Sequence, residues 1–290
     1  MSTEGDKLFA QASKKSQSSS GWFSSSSSKH EASADLFQQS ANAYKAEGNF
    51  ERAGEAFSRE AEERLKQGDA QHEAVQAWVN AGRCFKKGDG RRAVEVLART
   101  VQGLVKQGQF RQAADREKEI AQIWAQDNLD IAKARDSYVR AGEWYKQEEA
   151  NATANQCYQA AAEHSADLGD FGRAIELYEQ VGDWSLASPL TKYSVKEYWL
   201  RACLCAMAMG DLVTCNRLLT TFAQKDVTFP STREYKLAAA VMDACEQGDV
   251  DAFTQAVYEY DQLTKLDNTK TGILLRIKKG LEMEMDGGLT

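Results

Sequence analysis

The sequence predicts an all-α chain: a tetratricopeptide-like, right-handed solenoid of antiparallel helical hairpins, capped by a C-terminal helical bundle. Three observations carry this. Pro189 and Pro230 are the only prolines, while the good helix formers Ala, Glu, Gln, Lys and Arg are abundant. Alternating valine and isoleucine runs, the signature of a half-buried strand, are missing. Breaks recur on a beat of twenty residues, at Gly48-Asn49-Phe50, Gly68-Asp69, Gly88-Asp89 and Gly108-Gln109-Phe110.

Each beat reads as one helix and one turn. Glycine at a helix end takes the left-handed conformation that closes the last turn. Asp or Asn just after it caps the next helix. The beat continues through Asp127-Asn128-Leu129, Glu148-Glu149-Ala150 and Gly169-Asp170-Phe171, with later turns at Gly210-Asp211-Leu212 and Gly248-Asp249-Val250. Two beats make one hairpin of about forty residues, the period of a helical solenoid.

The first hairpin begins with Leu8-Phe9 and returns through Ala34-Asp35-Leu36-Phe37. In the next, Phe50, Ala53, Ala56 and Phe57 fall at i, i+3, i+6 and i+7 on one helix face. Ala93-Val94 with Val96-Leu97, Phe110 with Ala113-Ala114, and Phe171 with Ala174-Ile175 and Leu177-Tyr178 repeat the idea. Small alanines let helices approach, and Trp78, Phe85, Trp124, Tyr138, Trp144 and Tyr178 are expected to fill the grooves between them. The beat loosens after Trp184. Beyond Pro189 comes a strongly apolar helix, Tyr193 to Met209, followed by helices that read as longer and more evenly apolar up to Met285. A terminal unit must hide the open face of a solenoid. The expected division is therefore a solenoid over 1–185, a bundle over 186–285 and a flexible tail over 286–290.

A net charge of −7 speaks against nucleic acid as the main partner. Cys84, Cys157, Cys203, Cys205, Cys215 and Cys245 form no CxxC pair and sit among Ala and Leu, as reduced core thiols do. Met1 to Gln11 holds no apolar signal core, and no apolar run approaches the roughly 20 residues of a membrane span. A cytoplasmic protein is expected, in which Asn151-Ala152-Thr153 meets no glycosylation machinery. No GxxxxGK[ST] phosphate loop and no HExxH occur, and His30, His72 and His164 are scattered. Cys203 and Cys205, two apart on a helix, point to different faces. Neither catalysis nor a cofactor or metal is expected.

The two ends carry other chemistry. Ser16 to Ser28 is serine-rich and reads as a loop, with Trp22 and Phe23 at its centre and Lys14, Lys15 and Lys29 on its flanks. An aromatic pair on such a loop suits a lipid interface, at about 1.5–3 kcal/mol per buried ring. The lysines suit anionic lipid, and several copies would multiply the hold. The same pair also suits folding back onto the first hairpin. At the other end, Leu281 to Thr290 sets acidic residues before Gly287, Gly288 and Leu289, and taken alone reads as a frayed tail.

The chain resembles the soluble NSF attachment proteins, nearest the alpha-SNAP branch, over almost its whole length. The resemblance is carried by Ala81-Gly-Arg-Cys-Phe-Lys-Lys87, Ala174-Ile-Glu-Leu-Tyr-Glu-Gln-Val-Gly182 and Ser188-Pro-Leu-Thr-Lys-Tyr-Ser-Val-Lys-Glu-Tyr198. Tyr258-Glu-Tyr-Asp261 and Leu274-Leu-Arg-Ile-Lys-Lys279 extend it. It implies an adaptor that wraps the four-helix bundle of syntaxin-like and other SNAREs left after membrane fusion, and recruits and stimulates the AAA+ ATPase NSF. It also implies a cytoplasmic protein peripherally bound to membranes, a monomer alone and several copies on the complex. By the same resemblance, Trp22 and Phe23 meet the membrane. Arg99, Arg116, Lys192, Tyr193, Lys196 and Arg233 meet the SNAREs. Asp211, Asp243, Glu246, Glu282, Glu284, Asp286 and Leu289 meet NSF. Asp115, Gln156 and Gln109 depart from the pattern at usually basic positions. The alternative is a generic tetratricopeptide-like peptide-binding scaffold without an ATPase partner.

Overall fold

The computed structural model describes residues 2–18, 26–126 and 129–287, with residues 26 and 284–287 given by backbone alone. Among them stand fourteen α-helices and 3₁₀ turns at Lys192–Ser194 and Phe229–Ser231, and no strand. The chain divides into two compact units, Met1–Asn151 and Ala152–Thr290.

The first unit holds α1 (Glu4–Gln17), α2 (Ser26–Ala46), α3 (Phe50–Gln67), α4 (Gln71–Phe85), α5 (Gly90–Lys106), α6 (Phe110–Ala125) and α7 (Ile131–Gln147), each packed on the next. The expected serine-rich loop is shortened at both flanks, because α1 runs to Gln17 and α2 begins at Ser26. Alanine stripes let the helices close up: Ala53, Ala56, Ala61, Ala74, Ala81 and Ala93 are all fully buried. Gly54 has a specific role, since a Cβ there would sit 2.7 Å from the Phe85 ring. Trp78 and Phe85 lie in this core, with Trp124 and Trp144 packed against its edge.

The beat is realised through local hydrogen bonds. Asn49, Asp89 and Asp130 each accept from the backbone amide three residues on, at 3.0–3.2 Å. Gly48, Gly68, Gly108, Gly169, Gly210 and Gly248 take positive φ. The pattern fails in three places. Ala70, not Asp69, precedes α4, and it makes no side-chain cap. Gly88 has no positive φ, and in the Glu148-Glu149-Ala150 turn the left-handed position falls to Glu149, at φ 56°. The Asp127-Asn128 turn lies outside the described residues.

The second unit holds α8 (Asn151–Asp167), α9 (Phe171–Leu186), α10 (Val195–Ala208), α11 (Leu212–Lys225), α12 (Arg233–Gln247), α13 (Val250–Leu263) and α14 (Asn268–Gly287). Here the helices are not longer, as the sequence suggested. Four of the last five are 14 or 15 residues and only α14 reaches 20. The even apolarity of α10 has a different cause: it is the central element, contacted by α9, α11, α12 and α14. Its Trp199 stacks on Phe222 at 4.8 Å between ring centres and meets Phe229 edge-on at 4.9 Å. Gly182 makes room for that indole, since a Cβ would stand 2.8 Å from its nitrogen.

All six cysteines are thiols, five of them buried and Cys245 half-buried. No helix of the described residues is long and apolar enough to cross a membrane.

Candidate partner-binding sites

Buried charge sets the geometry of the second unit. Lys270, in the first turn of α14 and 3% exposed, donates to Glu197 of α10 at 2.8 Å and lies 3.5 Å from Asp267. Arg201, one turn along α10, bridges Asp267 at 2.6 Å and Glu163 of α8 at 3.0 Å. Lys196 of α10 meets Glu234 of α12 at 3.1 Å. The Lys196–Glu234 and Glu197–Lys270 contacts join the N-terminal end of α10 to the N-terminal ends of α12 and α14, while Arg201 ties the middle of α10 to α8. The three helices therefore start together. At about 1.5 Å per residue, the 15 residues of α12 carry its C-terminal end some 20 Å from its start.

At the N-terminal end, Lys192, Tyr193 and Lys196 line a cavity of about 420 Å³ with Pro189, Trp199 and Phe229. Tyr193 and the neighbouring Leu190 are exposed by 74% and 84%, large apolar surfaces that the core leaves in water. Arg233, the first residue of α12, borders a second cavity of about 270 Å³ with Leu237, Tyr260 and Leu263. The structure thus brings together the four SNARE-facing candidates of this unit. It also shows something the sequence hid: the lysines are already paired. Lys192 lies 3.9 Å from Asp226, and Lys196 has Glu234 behind it. The hydroxyl and amide of Thr228 donate to Asp226 at 2.7 and 2.9 Å and hold its carboxyl below the usual carboxylate range.

At the C-terminal end the charges are acidic. Asp243 and Glu246, in the last turns of α12, are exposed, and their carboxylates have no hydrogen bond or ion pair among the described residues. Carboxylates there oppose the helix dipole, a small cost carried at a surface. Asp211 is half-buried, and its carboxylate caps α11 by accepting from the Thr214 amide at 2.9 Å. The hydrogen bonds from Thr214 keep its carboxyl below the ordinary range. Glu282 is exposed, 4.0 Å from Lys278. Glu284 and Asp286 belong to α14 by backbone, and Leu289 lies outside the described residues, as do Trp22 and Phe23.

In the first unit, Arg99 on α5 is exposed and 3.9 Å from Glu62. Arg116 on α6 donates to Glu119 at 2.7 Å, and Glu119 also takes Lys86 at 3.1 Å. Asp115 accepts from the Tyr145 hydroxyl, so its charge is used internally. Gln109 precedes α6 without capping it, and Gln156 on α8 of the second unit is exposed.

The fold places the chain among helical-hairpin proteins. It matches the family described as soluble NSF attachment protein, SNAP, over residues 3–282. It is 54% identical over 277 residues to a vesicular-fusion protein SEC17 from Coprinopsis cinerea, covering 96% of each chain. It is 36% identical over 278 residues to the alpha-soluble NSF attachment protein of Homo sapiens, covering 95% of this chain and 94% of that one. A probable vesicular-fusion protein sec17 homolog from Schizosaccharomyces pombe is 36% identical over 287 residues, 99% of each. The chain belongs to the soluble NSF attachment protein family.

The double use of Asp211 yields a prediction. Asp211→Asn keeps the cap and should leave thermal stability within about 0.5 kcal/mol, whereas Asp211→Ala should cost about 1 kcal/mol. A melt in which both variants lose equally would show that the carboxylate does not hold α11.

Proposed function

We propose that this chain is the adaptor that binds the four-helix SNARE bundle left after fusion and brings it to an NSF-type AAA+ ATPase, which takes the bundle apart. The match to the SNAP family over residues 3–282 carries this reading. We further assign the SNARE contact to Arg99, Arg116, Lys192, Tyr193, Lys196 and Arg233. The ATPase contact is assigned to the acidic end, through Asp211, Asp243, Glu246 and Glu282 and on through Glu284, Asp286 and Leu289. The pairing of helix-end cations with an open cavity lined in part by Pro189, Trp199 and Phe229 supports the first assignment, since a partner helix offers both carboxylates and apolar side chains. The unpaired carboxylates of α12 support the second.

The chain acts as a binding protein rather than a catalyst in this reading. Trp22 and Phe23 hold it at the membrane surface as a peripheral protein, and several copies act on one SNARE bundle. A monomer with two weak rings benefits most from such multiplicity. The solenoid over 1–185 and the bundle over 186–285 divide the work, the bundle carrying the ATPase-facing tail.

Two measurements check this. The intact protein should stimulate the ATPase in the presence of SNARE complex. Leu289→Ala should raise the half-saturating concentration roughly ten- to hundredfold, the equivalent of burying one leucine. No stimulation by the intact protein would leave only a generic peptide-binding scaffold. In liposome flotation, Trp22→Ser/Phe23→Ser should reduce the bound fraction by about tenfold or more. Equal flotation of both proteins would place the two rings elsewhere.

A further inference from the structure

Lys196 lines the 420 Å³ cavity, and its ion pair with Glu234 is lopsided. The Lys196 side chain is 42% exposed and that of Glu234 only 2%. Glu234 Oε1 lies 3.1 Å from the ammonium, while Oε2 is buried with no hydrogen-bond partner. The carboxylate sits in the first turn of α12, where the free amides of a helix N-terminus favour negative charge. Lysine has three N–H donors, so one satisfies Glu234 and the others stay available to water or a partner.

We propose that Glu234 is a positioning residue that fixes Lys196 at the cavity and sets, by cancelling part of its charge, how strongly this end attracts an acidic helix. The inference rests on the reading that Lys196 faces a SNARE carboxylate. A carboxylate arriving about 3 Å from the ammonium stands roughly 6 Å from Glu234, so repulsion removes about half the attraction. At longer range the pair presents only a dipole, and steering of an acidic partner is largely lost. Lys196 cannot simply change partners, because leaving would strand a buried carboxylate that already lacks one hydrogen bond. It must hold Glu234 and the incoming acid together. The Lys192–Asp226 pair, at 3.9 Å, is less constrained, because Thr228 already donates two hydrogen bonds to the Asp226 carboxylate.

The test compares three proteins binding a soluble SNARE complex across salt concentrations. Glu234→Gln keeps the volume and an accepting oxygen, removes the charge, and leaves a lysine that water already solvates. It should bind roughly three- to tenfold tighter at low salt, with a steeper salt dependence. Lys196→Met/Glu234→Gln strands no charge and should lose that gain entirely. An unchanged or weaker Glu234→Gln overturns the inference, as does a gain that survives in the double variant. If the double variant is weaker than wild type while the single one is unchanged, Lys196 keeps its partner and only the role of Glu234 is refuted. If both bind as wild type, Lys196 does not face the partner, and the underlying assignment falls too.

Discussion

The ion-pair lattice built on the buried Lys270 and Glu234 and the largely buried Arg201 is the constraint on which the geometry of the second unit depends. Glu163, Arg201, Asp267, Lys270 and Glu197 form one chain of contacts, and Lys196 with Glu234 forms a second. Pairs of this kind add little net stability once desolvation is counted, but a lost partner is costly. A one-turn slip of α12 or α14 along α10 would leave Glu234 or Lys270 buried and unpaired. Register is thereby fixed by penalty, in a unit where smooth alanine and leucine surfaces would otherwise tolerate sliding. The stacked Trp199 and Phe222 fill the space the lattice defines.

Fixed register produces two unlike ends. Where α10, α12 and α14 begin, the exposed lysines are held by the chain's own carboxylates. Where α12 ends, Asp243 and Glu246 stand unpaired. Unpaired rim charges act mainly on encounter rate and salt dependence, while paired ones act at contact range. One end therefore suits close fit around a cavity, and the other suits long-range attraction of a basic surface. Separate chemistry at separate ends is what an adaptor between two partners requires.

The helices and most turns were legible in the sequence because the forces that end a helix are local. Asn49, Asp89, Asp170, Asp211 and Asp249 cap the residues that follow them within one turn. Glu149 was not legible as a left-handed residue, because the turn that closes α7, with the Ala150 amide donating to the Tyr145 carbonyl, needs that conformation at a position where the sequence has no glycine. The length of the C-terminal helices was misread because the apolarity of α10 reflects how many neighbours surround it. Of the counter-charges, Glu119 stands three residues from Arg116 and could be seen in helical spacing. Glu234 and Asp226 are far from their lysines along the chain, and only the packing of α12 and of the segment after α11 against α10 brings them in. The aromatic pair Trp22 and Phe23 and the terminal Leu289 rest on sequence, since they lie outside the described residues.

The central claim is that the two ends of one bundle serve two partners independently. Asp243→Lys/Glu246→Lys tests it most directly, with ATPase stimulation and SNARE binding read on the same preparation. The account predicts that stimulation falls by about tenfold or more, as expected when attractive rim charges become repulsive, while SNARE affinity stays within about twofold. Stimulation at the wild-type level, or an equal loss of SNARE binding, would contradict it.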